Sequence, residues 1–489
     1  MYRKSAIQLK SAFVSGELSA SEIVHYFIRR IISLDKKIQA FLSIFSEQAL
    51  LRAAYLDKKR ATGAKLGKLA SIPVVVKDNI HISGEKTTCA SKILQNYYAP
   101  FDSTVVQLLL EEDAIILGKT NLDEFAMGSS TENSHFFPTK NPWNLNCVPG
   151  GSSGGSAAAL AARVCAMALG SDTGGSVRQP ASFNGIVGFK PTYGRISRHG
   201  LVAFASSLDH IGLFTSNVED TVLFMEVLAS PCQYDATSIQ SPAPSYRKEM
   251  EESIADKKIG VPWSFLSHLS SEIKDNLTQS IAIFQDLGVE IVDISLDSWK
   301  HSIAIYCVIA MAEASTNLSR FDGIRYGYRT SNATNLEELY KLTRAEGFGK
   351  EVKKRILLGT YVLSEEYQNA YYKKAQKIRT LIVQEFNKAF QTCDIIALPT
   401  TPSAAFELSS IRDPIEMYLQ DIHTAAANLA GVPAISIPSG FNKEGKPLGF
   451  QLIGPQCMDG KVLCFAHKFQ HRSAYHQKIP PLCDCEVKE

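Results

Sequence analysis

No apolar run in this 489-residue chain approaches ~18 residues, so the sequence predicts no membrane span. Nothing at the start reads as a secretory leader: Met1-Tyr2-Arg3-Lys4 runs directly into an ordinary amphipathic stretch. An excess of one charge is also missing. Lys and Arg total 51 against 49 Asp and Glu, a net charge of +2, and nothing in that balance demands nucleic acid. The local basic groups Lys350, Lys353, Lys354 and Arg355, and Lys373, Lys374, Lys377 and Arg379, read first as solvated helix faces. The ten cysteines lack metal-site spacing. Cys483-Asp484-Cys485 has no second ligand pair and reads as an exposed tail, so no metal is expected and the thiols are expected to be reduced in a cytoplasmic protein.

Linkers, internal repeats and low-complexity tracts are absent as well. The chain exceeds the usual single-domain size, yet it reads as one domain over residues 1–489, with a helical region at about 1–65 and a helical segment at about 336–391. Ser19-Ala20-Ser21-Glu22 is a capping box, with Leu18 and Ile23 placed as its hydrophobic staple, and Ile23, Phe27, Ile28, Ile31 and Leu34 form one apolar face behind it. An apolar content of 45% with 20% charged residues is ordinary for a globular chain. Strand-like runs at Val74–Val76, Ala114–Leu117, Ile395–Leu398, Ala434–Ile437 and Gly449–Ile453 alternate with helical stretches and predict an α/β architecture.

The densest chemistry lies between Pro149 and Pro180. Gly150-Gly151-Ser152-Ser153-Gly154-Gly155-Ser156 is followed by an alanine-rich run and then by Ser171-Asp172-Thr173-Gly174-Gly175-Ser176-Val177-Arg178. The run Ala157–Leu169 predicts a helix buried all round, closed by Gly170, so that two hydroxyl-bearing loops can fold onto one place. A hydrolytic site needs a nucleophilic oxygen and backbone N–H groups for an oxyanion, and such loops can supply both. Gly150-Gly151-Ser152-Ser153-Gly154 formally matches a nucleophile elbow, but the preceding residues 141–149 contain two prolines and form no strand. A phosphate loop is excluded because no Gly-Lys-Ser/Thr ending follows.

Upstream, Ser71–Val76 reads as a short buried strand with Lys77-Asp78-Asn79 at its end. Burial lowers a lysine pKa and would make Lys77 a base; an ion pair with Asp78 or another carboxylate is the competing reading. No histidine has a comparable setting, and His81, His135, His199, His210 and His423 read as structural or surface residues.

Taken together these segments resemble the amidase signature family, whose members use a Ser–cis-Ser–Lys triad. The resemblance implies Lys77 as base, Ser152 rather than Ser153 as the bridging serine, and Ser176 as nucleophile, with Thr173, Gly174 and Gly175 offering the oxyanion donors. It also implies the family's fold, a large twisted mixed β-sheet covered by helices on both faces, over a single amidase domain. Asn121–Ser134, Gly188–Arg195, Arg320–Gly327 and Asn428–Ala434 narrow the likeness to the glutaminase subunits of glutamine-dependent aminoacyl-tRNA amidotransferases.

For such a protein, the resemblance implies glutamine as substrate, with Arg355 on its carboxylate, Asp421 on its ammonium group and Tyr306 as a further hydrogen-bonding group. It implies B and C partner subunits in a heterotrimer, and ammonia delivered for Glu-tRNA(Gln) to Gln-tRNA(Gln), with Asp-tRNA(Asn) to Asn-tRNA(Asn) left open. The tRNA is expected to be met through the complex, and ATP and Mg to be used by the partner, with no cofactor in this chain. A free-standing amidase acting on other small or acyl amides would use the same triad, and a scaffold that has lost catalysis is opposed by the intact Lys77, Ser152 and Ser176.

Overall fold

The apolar runs become neighbours in one sheet. The computed structural model describes residues 1–484. Its strands are β1 (Phe41–Ile44), β2 (Pro73–Lys77), β3 (Ile115–Thr120), β4 (Met167–Asp172), β5 (Val187–Lys190) and β6 (His210–Thr215). They continue with β7 (Lys258–Val261), β8 (Glu290–Asp293), β9 (Ile395–Pro399), β10 (Ala434–Phe441) and β11 (Pro447–Ile453). All eleven form a single sheet in the order β1-β3-β2-β4-β6-β5-β10-β11-β9-β7-β8. It is mixed: β2 runs parallel to β3 and β4, and β7 parallel to β8 and β9, while the remaining pairs are antiparallel. The α/β expectation holds; four of the five expected strand runs lie within strands, and the fifth, Ala114–Leu117, begins one residue before β3.

The parallel trio β3-β2-β4 positions the chemistry. Val74, Val75 and Val76 are fully buried, as expected of a strand covered on both faces. Their partners in β4 are Met167, Ala168 and Leu169, so the carboxyl end of β2 at Lys77 opens beside Ser171 and Asp172. In open α/β sheets the carboxyl ends of parallel strands are where ligands bind.

Two sequence expectations fail here. The helix expected over Ala157–Leu169 covers only Gly154–Ala161. Arg163 adopts φ 57° and breaks the helix, and the amide of Ala166 then bonds to Pro73 O at 3.0 Å, which delivers the chain into β4. Gly170 therefore lies inside a strand and closes no helix. The carbonyls that the short helix leaves free are met by Arg30, buried in the helix Ala20–Ile38, which donates to Ala162 O at 3.1 Å and Arg163 O at 3.0 Å. The exposed-tail reading also fails for Cys483, which is buried in a short turn and donates to Ala161 O at 3.4 Å; Cys485 lies outside the described residues.

A third expectation needs amendment. Trp299–Arg320 is one helical stretch of membrane-spanning length, with a mean hydropathy of 1.2. Half of it is buried within the protein, where it packs against Lys350–Leu363 and Tyr372–Ala389 as a core helix does. The capping box is formed as read: Ser19 Oγ accepts from Glu22 N at 3.1 Å and Ser19 N donates to Glu22 Oε2 at 2.7 Å.

Gly155 seats the short helix against the strand ends. A Cβ there would stand 2.3 Å from Asn121 O and 2.6 Å from Asn121 N, backbone atoms with no freedom to give way. Gly155→Ala is therefore expected to destabilise the protein by about 1–3 kcal/mol. The urea midpoint should fall with the m-value unchanged, and an unaltered midpoint would show that the helix is not wedged in this way.

Candidate functional site

Lys77 leaves the end of β2 fully buried and meets hydroxyls in place of carboxylates. Its Nζ lies 2.7 Å from Ser152 Oγ, 2.8 Å from Ser153 Oγ and 2.9 Å from Ser171 Oγ. Asp78, the neighbour that could have neutralised it, is paired at 2.8 Å with the buried Lys119. Burial pulls the Lys77 amine down from 10.5 to about 7, against the opposing attraction of Asp123, Asp172 and Asp209. A substantial share of the amine is then neutral near pH 7 and able to accept a proton.

The serines around Lys77 are not equivalent. Ser153 Oγ donates to Ser171 O at 3.0 Å, so its proton is already committed. Among the described residues Ser152 Oγ bonds only to Lys77. The Gly151–Ser152 peptide is cis. The turn that carries Ser152 is held from two sides: Asp123 N donates to Ser152 O at 3.2 Å, and Gly151 N donates to Gln179 Oε1 at 2.9 Å. The Asp123 carboxylate accepts from the amides of Thr131 and Asn133 at 2.8 and 3.1 Å and folds the 129–133 loop against the same turn.

Ser176 stands on the second loop, 6% exposed, with its carbonyl accepting from Ser153 N at 3.2 Å. Its hydroxyl makes no hydrogen bond among the described residues, so the hydrogen-bonded chain is closed from Lys77 to Ser152 and open at its last link. The turn itself is anchored by Asp172. That carboxylate accepts from Val177 N at 3.1 Å and forms a fork with Arg178 at 3.0 and 3.1 Å, both side chains being fully buried. Burial would raise the Asp172 pKa, but the Arg178 guanidinium overrides it and holds the group below the usual carboxylate range. Arg178 reaches on to Thr424 O, Asn428 Oδ1 and Gln451 Oε1 at 3.0, 2.5 and 2.7 Å.

Ahead of Ser176, the amides of Gly174, Gly175 and Ser176 donate to no acceptor among the described residues, whereas the next amide is taken by Asp172. The Thr173 amide likewise donates to no acceptor among the described residues, while its hydroxyl donates to Asp209 Oδ1 at 2.8 Å. Consecutive free N–H groups beside a hydroxyl form an arrangement able to hold an oxyanion. Gly175 has φ +146°, and a Cβ there would stand 2.2 Å from Thr424 Oγ1 and 2.9 Å from Asp421 Oδ1, so only glycine fits.

Those approaches bring Asp421 to the turn of Ser176. Ser129 Oγ donates to its Oδ2 at 2.6 Å, while Oδ1 is buried without a partner. Burial raises its carboxyl from 3.8 to about 7. Tyr306 covers the same turn from the other side, because a Cβ at Gly174 would stand 2.6 Å from its ring carbon Cζ. Burial raises the Tyr306 hydroxyl pKa well above its usual value.

Arg355 lines a neighbouring cavity of about 410 Å³ together with Gly128, Ser130 and Tyr418. Its Nε donates to Glu351 Oε1 at 2.8 Å and its guanidinium lies over the Tyr418 ring at 5.3 Å, while neither Nη bonds among the described residues. Burial works against its charge, but Glu351 more than compensates and raises its pKa.

The sequence reading passed over Ser171, Asp123, Gln179, Ser129 and Thr424, which orient the turns. Their signal was weak, since each becomes meaningful only when segments far apart in the chain meet.

The model of the family described as Amidase matches residues 22–463. The A-type subunit of the glutamyl-tRNA(Gln) amidotransferase of Protochlamydia amoebophila (strain UWE25) is 56% identical over 482 residues, covering 99% of each chain. The crystal structure of the corresponding glutamyl-tRNA(Gln) amidotransferase chain from Thermotoga maritima superposes with a TM-score of 0.82 at 41% identity, covering 100% of this chain and 99% of that one. A bacterial aryl acylamidase of the amidase signature enzymes shares the fold, with a TM-score of 0.85 at 24% identity and 98% coverage of both chains. By its sequence over most of its length and by its fold, this chain belongs to the amidase family.

Proposed function

We propose that this chain is the glutaminase subunit of a glutamine-dependent aminoacyl-tRNA amidotransferase, and that residues 1–489 form its single amidase domain. The observation that carries the reading is Lys77: a buried amine shifted to about 7, facing Ser152 with no carboxylate partner among the described residues, beside a serine turn with free amides. The kinship with proteins named for glutamyl-tRNA(Gln) amidation, at 56% identity over nearly the whole length, supports the choice among amidases.

In this reading neutral Lys77 takes a proton from Ser152 as Ser152 takes one from Ser176. Bound substrate closes the open link between the two serines, since catalytic hydrogen bonds often tighten only in the complex. Ser176 Oγ attacks the side-chain carboxamide carbon of glutamine, and the amides of the 173–176 turn hold the oxyanion, worth about 3–4 kcal/mol per well-placed donor. The C–N bond breaks as the proton returns through Ser152 to the leaving nitrogen. Water then attacks the acyl-enzyme and releases glutamate.

The partnerless Asp421 Oδ1 suits the substrate ammonium, and the free Nη groups of Arg355 suit its α-carboxylate. Tyr306 closes the space between them. B and C subunits complete a cytoplasmic heterotrimer, which meets tRNA and uses ATP and Mg through the partner. The ammonia converts Glu-tRNA(Gln), with Asp-tRNA(Asn) open as a second substrate.

Three outcomes test this. In the reconstituted complex, Ser176→Ala should cut glutamine-driven amidation of Glu-tRNA(Gln) by roughly 10⁴-fold or more while sparing amidation driven by ammonium. Equal loss with both donors would place the defect outside ammonia release. Arg355→Ala and Asp421→Ala each remove a charged contact of about 1.5–3 kcal/mol and should raise the KM for glutamine roughly 10- to 100-fold, sparing a simple amide. Unchanged glutamine kinetics would favour a free-standing amidase. The base must be neutral, so kcat/KM for glutamine should rise with pH through about 7 and level off above it. A rate that falls as pH rises through 7 would remove Lys77 from the role of base.

A further inference from the structure

Two histidines of the last long helix have no part in the chemistry above. His467 and His471 stand at i and i+4 on the helix Asp459–Ser473 and so share a face, their ring centroids 4.3 Å apart. Glu219, in the first turn of the helix Val218–Leu228, reaches the same place, with His471 Nε2 3.7 Å from Glu219 Oε1. One donor atom from each of the three lies within 4.8 Å of the other two. Tetrahedral ligands about 2.0–2.2 Å from an ion stand roughly 3.4 Å from one another, so modest side-chain rotations would close this set on a single ion. The buried His467 is held in place, whereas the side chains of Glu219 and His471 are 49% and 62% exposed and have room to turn.

The three residues border a cavity of about 480 Å³ whose wall also carries His476, Gln470, Arg163 and Arg3. His476 Nδ1 is buried there without a partner among the described residues, a further imidazole nitrogen at the rim of the same space. The charges that face a cation are mixed. Arg3 is paired with Asp484 at 3.1 Å, and Arg163 is the positive group that works against binding. Hard ions held mainly by charge are therefore disfavoured, while two imidazoles and one carboxylate form the nitrogen-rich donor set that suits zinc and its neighbours.

We propose that Glu219, His467 and His471 form a binding site for one divalent transition-metal ion of the zinc type, with its remaining coordination position open to the cavity. The ion would reinforce a junction between the two ends of the chain. Gln470, beside His471, already accepts from Val218 N at 2.8 Å, and Asp220, beside Glu219, accepts from Ala6 N and Ile7 N of the first helix at 2.9 and 3.0 Å. Three ligands and an open position distinguish it from the closed four-ligand sites of zinc fingers.

The test titrates the chelator-stripped full-length chain with Zn²⁺, and with Co²⁺ as an optical probe. Wild type should bind one equivalent with a rise in Tm, and its Co²⁺ spectrum should lack a thiolate-to-metal charge-transfer band. His471→Ala and Glu219→Gln alter exposed side chains; each should weaken binding at least about tenfold and abolish the Tm rise, with glutamine hydrolysis by the metal-free protein unchanged. Binding and a Tm rise undiminished in both variants, or a Co²⁺ spectrum dominated by thiolate, would place the ion on other residues and overturn the proposal. So would the absence of saturable Zn²⁺ binding by wild type below about 1 mM.

Discussion

The site depends on one constraint: a lysine amine is taken out of water without being given a counter-charge. Lys77 is fully buried, yet the carboxylate next to it is occupied by Lys119, and among the described residues only hydroxyls and one carbonyl hydrogen-bond to its nitrogen. Charging such a group costs free energy, and the protein relieves that cost by letting the proton go. The rest of the architecture maintains this condition. Strand β2 is sandwiched between β3 and β4, the short helix Gly154–Ala161 is buried at every residue, and Arg30 satisfies the carbonyls at the end of that segment so that water is not needed there.

A second buried charge is treated in the opposite way. Arg178 is as deeply buried as Lys77, but Asp172 meets it with a two-point fork, and the guanidinium holds the Asp172 pKa below the usual carboxylate range. Breaking such a pair leaves an uncompensated charge, which typically costs about 3–5 kcal/mol. The two buried basic groups thus differ in what surrounds them. Lys77 meets hydroxyls and has its pKa lowered to about 7, while Arg178 holds Asp172 where its carboxylate can grip the amides of Val177 and Arg178.

Much of this was legible in the sequence because the signals were local. Val74-Val75-Val76 followed by Lys77 reads as a strand ending in chemistry, and Ser19 with Glu22 reads as a cap that the structure forms. The Gly/Ser loops stood out by composition and resemblance. What stayed hidden was set by tertiary contact. The alanine-rich run has helical propensity through Leu169, but Ala166 finds a sheet partner in Pro73, and pairing beside β2 outweighs propensity. The sequence reading did not take up His467 and His471, and Glu219, which stands beside them, comes from another helix.

The reach of Arg178 has a consequence for biosynthesis. The guanidinium that stabilises the Ser176 turn is held by Thr424, Asn428 and Gln451, residues made some 250 positions later. Asp421 and Thr424, which press on Gly175, also come from that late segment. A nascent chain halted before them would carry Lys77, Ser152 and Ser176 without the clamp that shapes the turn. The Ser176 turn therefore takes its final shape only after the segment carrying Asp421, Thr424, Asn428 and Gln451 has been made.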